Sequence, residues 1–265
     1  MARPRSIHAI ADAELSTINL LIYGHPGEGK TPLWGTGGER LLLMDSDNGY
    51  ESAIAAGSKA HRAPATTYNE MEELYDYMKN GGGCDDFDWV VWDSLTLFQD
   101  RSMMDDLMED AHASNENQDR WVPSKRQYFI DHNRIGSLVR QFVALPINFG
   151  ISCHVMVDTD PSDGQTIWMP AVQGKNMASK VSGYMNVVAL LGTIQPDLKK
   201  DPKAKPVKRL LTAREGKFYA RDRFGALGHH VDNPTIPGIT ERINEYRGNT
   251  ASATTPIRRR RRRAS

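Results

Sequence analysis

The sequence predicts an α/β domain built on a mostly parallel sheet flanked by helices. Three observations lead there. Short apolar runs at 18–23, 41–44, 87–92 and 147–157 read as strands buried on both faces. Amphipathic stretches at 68–80 and 124–145 carry apolar residues at helical spacing. Each strand run ends in glycine or polar residues, namely Gly24, then Asp45 and Asp47, Asp93, and His154. Open sheets of this kind bind ligands at the carboxyl ends of their strands.

Taken in order, residues 1–17 form a lead-in without periodicity. The run 18–23 is a buried strand stopped by Gly24, and 30–34 starts a short helix. Pro32 is tolerated there because it falls in the first turn, and Gly35, Gly37 and Gly38 end the helix early. Residues 41–44 are a second strand. Over 68–80, Met71, Leu74, Tyr75 and Met78 share one helical face, and Gly81, Gly82 and Gly83 stop the helix. Residues 87–92 form a third strand, and 100–122 an acidic, Met-rich helix followed by a mobile loop around 113–119. The long helix over 124–145 has Phe129, Ile135, Leu138, Val139 and Phe142 as its apolar stripe, and Pro146 ends it. A single strand is expected over 147–157, a loop or hairpin over 158–174, a short helix over 176–184, and strands at 186–193, 209–213 and 217–220. The domain thus spans 18–247, and 248–265 is expected to be a disordered, Arg-rich tail.

The chain has 265 residues, 39% hydrophobic and 25% charged, an ordinary soluble composition. Its apolar runs are too short to span a bilayer, and the first residues lead into no signal-peptide core, so no membrane contact and a cytoplasmic location are expected. Cys84 and Cys153 lack metal-ligand spacing and read as idle thiols in a reducing compartment. The zero net charge hides an asymmetry. Six of 33 basic residues sit together as Arg258, Arg259, Arg260, Arg261, Arg262 and Arg263, leaving 27 basic against 33 acidic residues elsewhere. An acidic body carrying a basic tail is a polarised molecule.

The chemistry concentrates in Gly24, His25, Pro26, Gly27, Glu28, Gly29, Lys30 and Thr31, which fit G-x-x-x-x-G-K-[ST] without a mismatch. Glycines let backbone N–H groups turn inward around phosphate oxygens, and the following helix start adds donors and a favourable dipole. Lys30 is expected to reach the β- and γ-phosphates of ATP, and Thr31 to ligate Mg²⁺. Asp93, ending the strand before Ser94, has the placement of the second Mg²⁺-supporting residue. The alternative is that Asp93 or Ser94 only caps a helix.

With the 42–47 and 90–94 segments and Gly174 with Lys175, these residues resemble phage-encoded RecA-like ATPases, in particular the Sak-type single-strand annealing and recombination proteins. The resemblance covers about residues 15–245 and implies a RecA-like P-loop NTPase core. It implies that Asp47 orients the attacking water, with Asp45 as competitor, and that His154 senses the γ-phosphate. It further implies head-to-tail homo-oligomers, ring or filament, in which Arg221 and Arg223 complete a neighbour's ATP site. Single-stranded DNA is the implied partner, with a phage single-strand-binding protein or a helicase beside it, in the bacterial host cytoplasm. In such proteins the segment after the sensor strand contacts DNA. Here it holds Trp168, followed by Lys175 and Lys180, an aromatic with nearby cations. Asp158, Asp160 and Asp163 oppose that contact, and Trp168 has core packing as its alternative. The tail arginines 258–263 offer phosphate contacts. Two other readings stay open: a P-loop nucleotide or small-molecule kinase, and a helicase-loader-like accessory ATPase.

Overall fold

The computed structural model describes residues 17–160, 164–174, 176–196, 203 and 205–253, with side chains to Gly248. Its elements run β1 (Asn19–Tyr23), α1 (Lys30–Gly35), β2 (Leu41–Asp45), α2 (Tyr50–Ala55), β3 (His61–Pro64), α3 (Tyr68–Asn80), α4 (Gly83–Asp86), β4 (Trp89–Asp93) and α5 (Leu95–Arg101). A π-helical stretch, Ser102–Leu107, leads into α6 (Met108–Ser114), then α7 (Lys125–Val143), β5 (Asn148–Cys153), β6 (Val155–Thr159), β7 (Thr166–Pro170) and α8 (Met177–Tyr184). The chain continues through β8 (Val187–Ile194), β9 (Val207–Leu211), β10 (Arg221–Asp222), β11 (His230–Asp232) and α9 (Ile236–Ala253).

Among the described residues the main sheet has nine strands in the order β11-β9-β8-β1-β5-β4-β2-β3, with β10 also on β8. From β8 through β3 the pairings are parallel, while β9, β10 and β11 join antiparallel. The mostly parallel α/β architecture read from the sequence therefore holds. The strand period of two divides the core between the faces. Leu21, Tyr23, Leu42, Met44, Val90 and Trp92 pack with α3, α5, α7 and α8. Leu20, Ile22, Leu41, Leu43, Trp89 and Val91 pack with α1 and α9. On this second face Trp34 is fully buried, and its indole N–H donates to Ser152 Oγ at 2.7 Å. Edge strand β3 carries exposed His61, Arg62 and Pro64, residues that discourage further pairing.

Local chemistry sets the helix ends. A capping box of Thr67 and Glu70 starts α3, and one of Ser124 and Gln127 starts α7.

Several expectations are corrected. The apolar run 147–157 is not one strand. It breaks at His154, and Val155–Thr159 pairs with β7 as a separate two-stranded sheet. Residues 217–220 form no strand beyond isolated bridges, since their pairing is limited to a parallel bridge with Trp168 of β7 and a tight turn to Glu215. Helix α9 was not anticipated, and it runs to Ala253, past the boundary expected at 248. Phe129 lies outside the core at 69% exposure, whereas Ile135, Leu138, Val139 and Phe142 are buried. In the first turns of α7 the buried side carries Gln127 and Asp131, and Phe129 lies off that side. Residues 254–265, with Arg258–Arg263, lie outside the described residues, as do Asp163 and Lys175.

Candidate functional site

The turn from β1 into α1 forms one wall of a cavity of about 410 Å³ at the carboxyl edge of the sheet. Gly24 crosses so close to β8 that a Cβ there would lie 2.5 Å from the Leu191 carbonyl oxygen. Gly29 has a φ of 89°, which turns the chain into the first helical residue, Lys30. Pro26, Gly27, Gly29, Lys30 and Thr31 line the cavity from this side, and Asp47, Gly49, Asp93, Ser94 and His154 from the facing strand ends. Strands β1, β2, β4 and β5 thus bring together the residues that the sequence singled out one by one.

Lys30 is buried, and its Nζ donates to the carbonyls of Gly24 at 3.0 Å and His25 at 3.1 Å. Thr31 Oγ1 donates to Asp93 Oδ2 at 2.5 Å. Ser94 caps α5 through Leu97 N and donates to Asp47 Oδ2 at 3.5 Å. The two candidate carboxylates after β2 are distinguished by their partners. Both accept from the Gly49 N–H, but Asp45 is buried against Arg62, with Nε to Oδ2 at 2.7 Å, while Asp47 lines the cavity. Burial is the first cause of every shift among the ionisable groups here. It pushes Asp93 up to about 6, against hydrogen bonds from Thr31 and Ser152. It also raises Asp47, and it lowers Lys30 and His154. Four groups whose charged forms are all disfavoured, facing one cavity, are what a site for a charged ligand looks like before the ligand arrives.

The oxygen donors of Thr31 and Asp93 form a hard set, of the kind that suits Mg²⁺. Glu28 points away from the cavity. Against the cost of burial, hydrogen bonds from Thr193 and Lys208 hold its carboxyl below the usual range.

A family model for the AAA domain matches residues 16–224. The chain belongs to the AAA-domain family of P-loop ATPases. A search of curated proteins returns no match. Membership accounts for the core: β1, the glycine-rich turn and Asp93 all lie within the matched span of this AAA domain.

Other expected residues lie elsewhere. Arg221 and Arg223 sit at the amino edge of the sheet, since β10 pairs with the start of β8. Both side chains point the same way, as a period of two requires, but toward their own chain. Arg221 donates to the carbonyls of Ser182 at 2.7 Å and Met185 at 3.2 Å, and Arg223 to Gly183 at 2.8 Å. In the single chain they satisfy the carboxyl end of α8, and Arg223 remains exposed. Trp168 is half-buried. Its ring meets His25 at 5.4 Å and Phe218 at 5.7 Å, and Lys217 Nζ lies 4.9 Å above it. Through its contact with His25, Trp168 ties the β6–β7 hairpin to the glycine-rich turn. Asp160 is buried and paired with Arg214 at 2.6 Å. Lys180 is exposed on α8.

Sequence reasoning missed Thr96 and Gln99. Thr96 Oγ1 accepts from His154 N at 3.0 Å and donates to the Ala171 carbonyl at 2.6 Å. Gln99 accepts from Gln173 N at 2.7 Å and donates to buried Asp131 at 2.7 Å. Their only signal was position, one and two turns beyond Asp93. Cys153 is buried, which pushes its thiol up to about 12, and Cys84 is half-buried; neither is in a disulfide. Among the described residues no helix is long and apolar enough to cross a membrane.

Proposed function

We propose that this AAA-family chain hydrolyses Mg²⁺-ATP to control its grip on single-stranded DNA, in a phage-type annealing or recombination role. The observation that carries the hydrolytic half is the 2.5 Å contact of Thr31 with Asp93 beside Lys30, at the mouth of a cavity lined by Asp47 and His154. Lys30 exchanges its two loop carbonyls for β- and γ-phosphate oxygens. Thr31 and Asp93 would hold Mg²⁺, which would supply positive charge against the charge that develops on the phosphates. Asp47, the cavity-facing carboxylate, orients the attacking water. His154, neutral at pH 7 because burial lowers it, reports the γ-phosphate through Thr96 to the 171–174 segment.

The DNA half rests on the resemblance to single-strand annealing ATPases and on this hydrogen-bonded path leading away from the site. Head-to-tail self-assembly belongs to the same reading, with Arg221 or Arg223 as the candidate cations toward a neighbour's site. ATP hydrolysis measured with and without single-stranded DNA, together with particle mass by light scattering, tests it. Stimulated turnover by assemblies is expected. An unstimulated monomer would overturn the DNA half and favour a small-molecule kinase.

A further inference from the structure

The amino end of α7 carries a surface that the catalytic cavity does not use. Of the nine large apolar side chains exposed among the described residues, four fall within 121–129. Trp121 is 77% exposed, Phe129 69% and Tyr128 39%, with Val122 beside them in sequence. Exposed cations interleave with them: Arg120, Lys125 and Arg126 make no ion pair among the described residues. Asp119 is the nearest acid in sequence, and its Oδ1 takes the Trp121 N–H at 2.7 Å, fixing the tip of the turn.

Helical spacing aligns these groups. Lys125, Tyr128, Phe129, His132 and Gly136 share one face of α7. Tyr128 and His132 are neighbours at 6.3 Å between ring centroids. The His132 ring lies directly against Gly174, and Lys180 Nζ lies 3.2 Å from where a Gly136 Cβ would be. The α7 face therefore runs from Lys125 to α8 and the 173–174 backbone, and the turn at 119–122 directly precedes it in the chain. Since α7 enters β5 at the amino edge of the sheet, its own amino end lies toward the carboxyl edge, on the side of the nucleotide cavity. Gln99 and Gln173 join that side to the loop beside His132.

We infer that this face, Trp121, Tyr128 and Phe129 with Arg120, Lys125, Arg126 and Lys180, binds single-stranded nucleic acid by stacking unpaired bases and contacting phosphates. Aromatic rings take bases only where the bases are unstacked, so a single strand fits and a duplex does not. Like-charged cations among the rings disfavour the same face of a second copy. The inference rests on the proposed single-strand binding and moves its contacts from Trp168 to α7.

The test is fluorescence anisotropy of a labelled oligothymidylate titrated with full-length protein and a non-hydrolysable ATP analogue. Trp121→Ala and Phe129→Ala are each expected to weaken binding about tenfold, and the pair about a hundredfold. Lys125→Gln with Arg126→Gln lowers the salt slope by about 1.4. Ile54→Ala, an exposed apolar residue on α2, leaves affinity unchanged, and circular dichroism verifies that each variant folds. Wild-type binding with undiminished affinity in the aromatic pair overturns this surface and leaves the proposed function standing. Absence of wild-type binding overturns both. A loss of assembly mass in Trp121→Ala with unaltered affinity assigns the face to a second copy and also overturns the inference.

Discussion

The two edges of the parallel sheet differ in what their polar side chains meet. At the amino edge the named side chains reach backbone partners, although Asn19 Oδ1 and Arg221 Nε are buried without one among the described residues. Asn148 and Asn186 accept from Ile18 N and Asn19 N, and Arg221 and Arg223 cap α8. At the carboxyl edge Lys30 is held only by its own loop carbonyls, and fully buried Asp93 faces hydroxyls. Asp47 and His154 are also pushed away from their charged forms. Satisfied polar groups hold a fold together. Groups kept electrostatically unsatisfied wait for something else, here a nucleotide and its metal.

The contrast is broken most severely at the carboxyl edge. Lys30→Ala removes the phosphate cation and is expected to lower ATP turnover about 10³-fold with little change in thermal stability. A variant that hydrolyses normally breaks the comparison outright. Asp93→Asn is expected to cost about 10²-fold in turnover while stabilising the protein. The sign follows from the raised value. A carboxyl near 6 when folded and 3.8 when free opposes folding fully above pH 6 and not at all below 3.8. The gain in urea denaturation is therefore up to about 3 kcal/mol at pH 8 and smaller at pH 5. An equal gain at both pH values would remove burial as the cause. In the unaltered protein, the acid limb of turnover is expected at or below about pH 6, since a bound metal cation favours the Asp93 carboxylate.

The amino edge sharpens the comparison with a smaller effect. Arg223→Ala is expected to lose about 1 kcal/mol, a fall of roughly 2–4 °C in Tm. Lost stimulation by single-stranded DNA with unchanged Tm would give it the role in a neighbour's site instead.

The phosphate loop and the polar strand ends were legible because each is local: a contiguous motif, or one residue after an apolar run. The choice between Asp45 and Asp47 was not, because it depends on Arg62, seventeen residues away. Arg221 and Arg223 carried the right residue type and the right period, but which carbonyls they meet is decided by where α8 ends. Phe129 shows the limit of periodicity. The buried side of α7 continues through polar Asp131 and Gln127, whereas Phe129 sits out of phase with Ile135, Leu138, Val139 and Phe142, so it becomes part of a surface. The break at His154 was hidden because β5 and β6 are apolar on either side of it.

The most direct test is Mn²⁺ binding, followed by electron paramagnetic resonance in the presence of a non-hydrolysable ATP analogue. It compares the unaltered chain with Thr31→Val and Asp93→Asn. Tight, nucleotide-dependent uptake of one ion per chain, lost in both variants while the nucleotide still binds, is the expected result. Undiminished uptake in both variants would contradict the assignment of Thr31 and Asp93 as the pair that holds the metal.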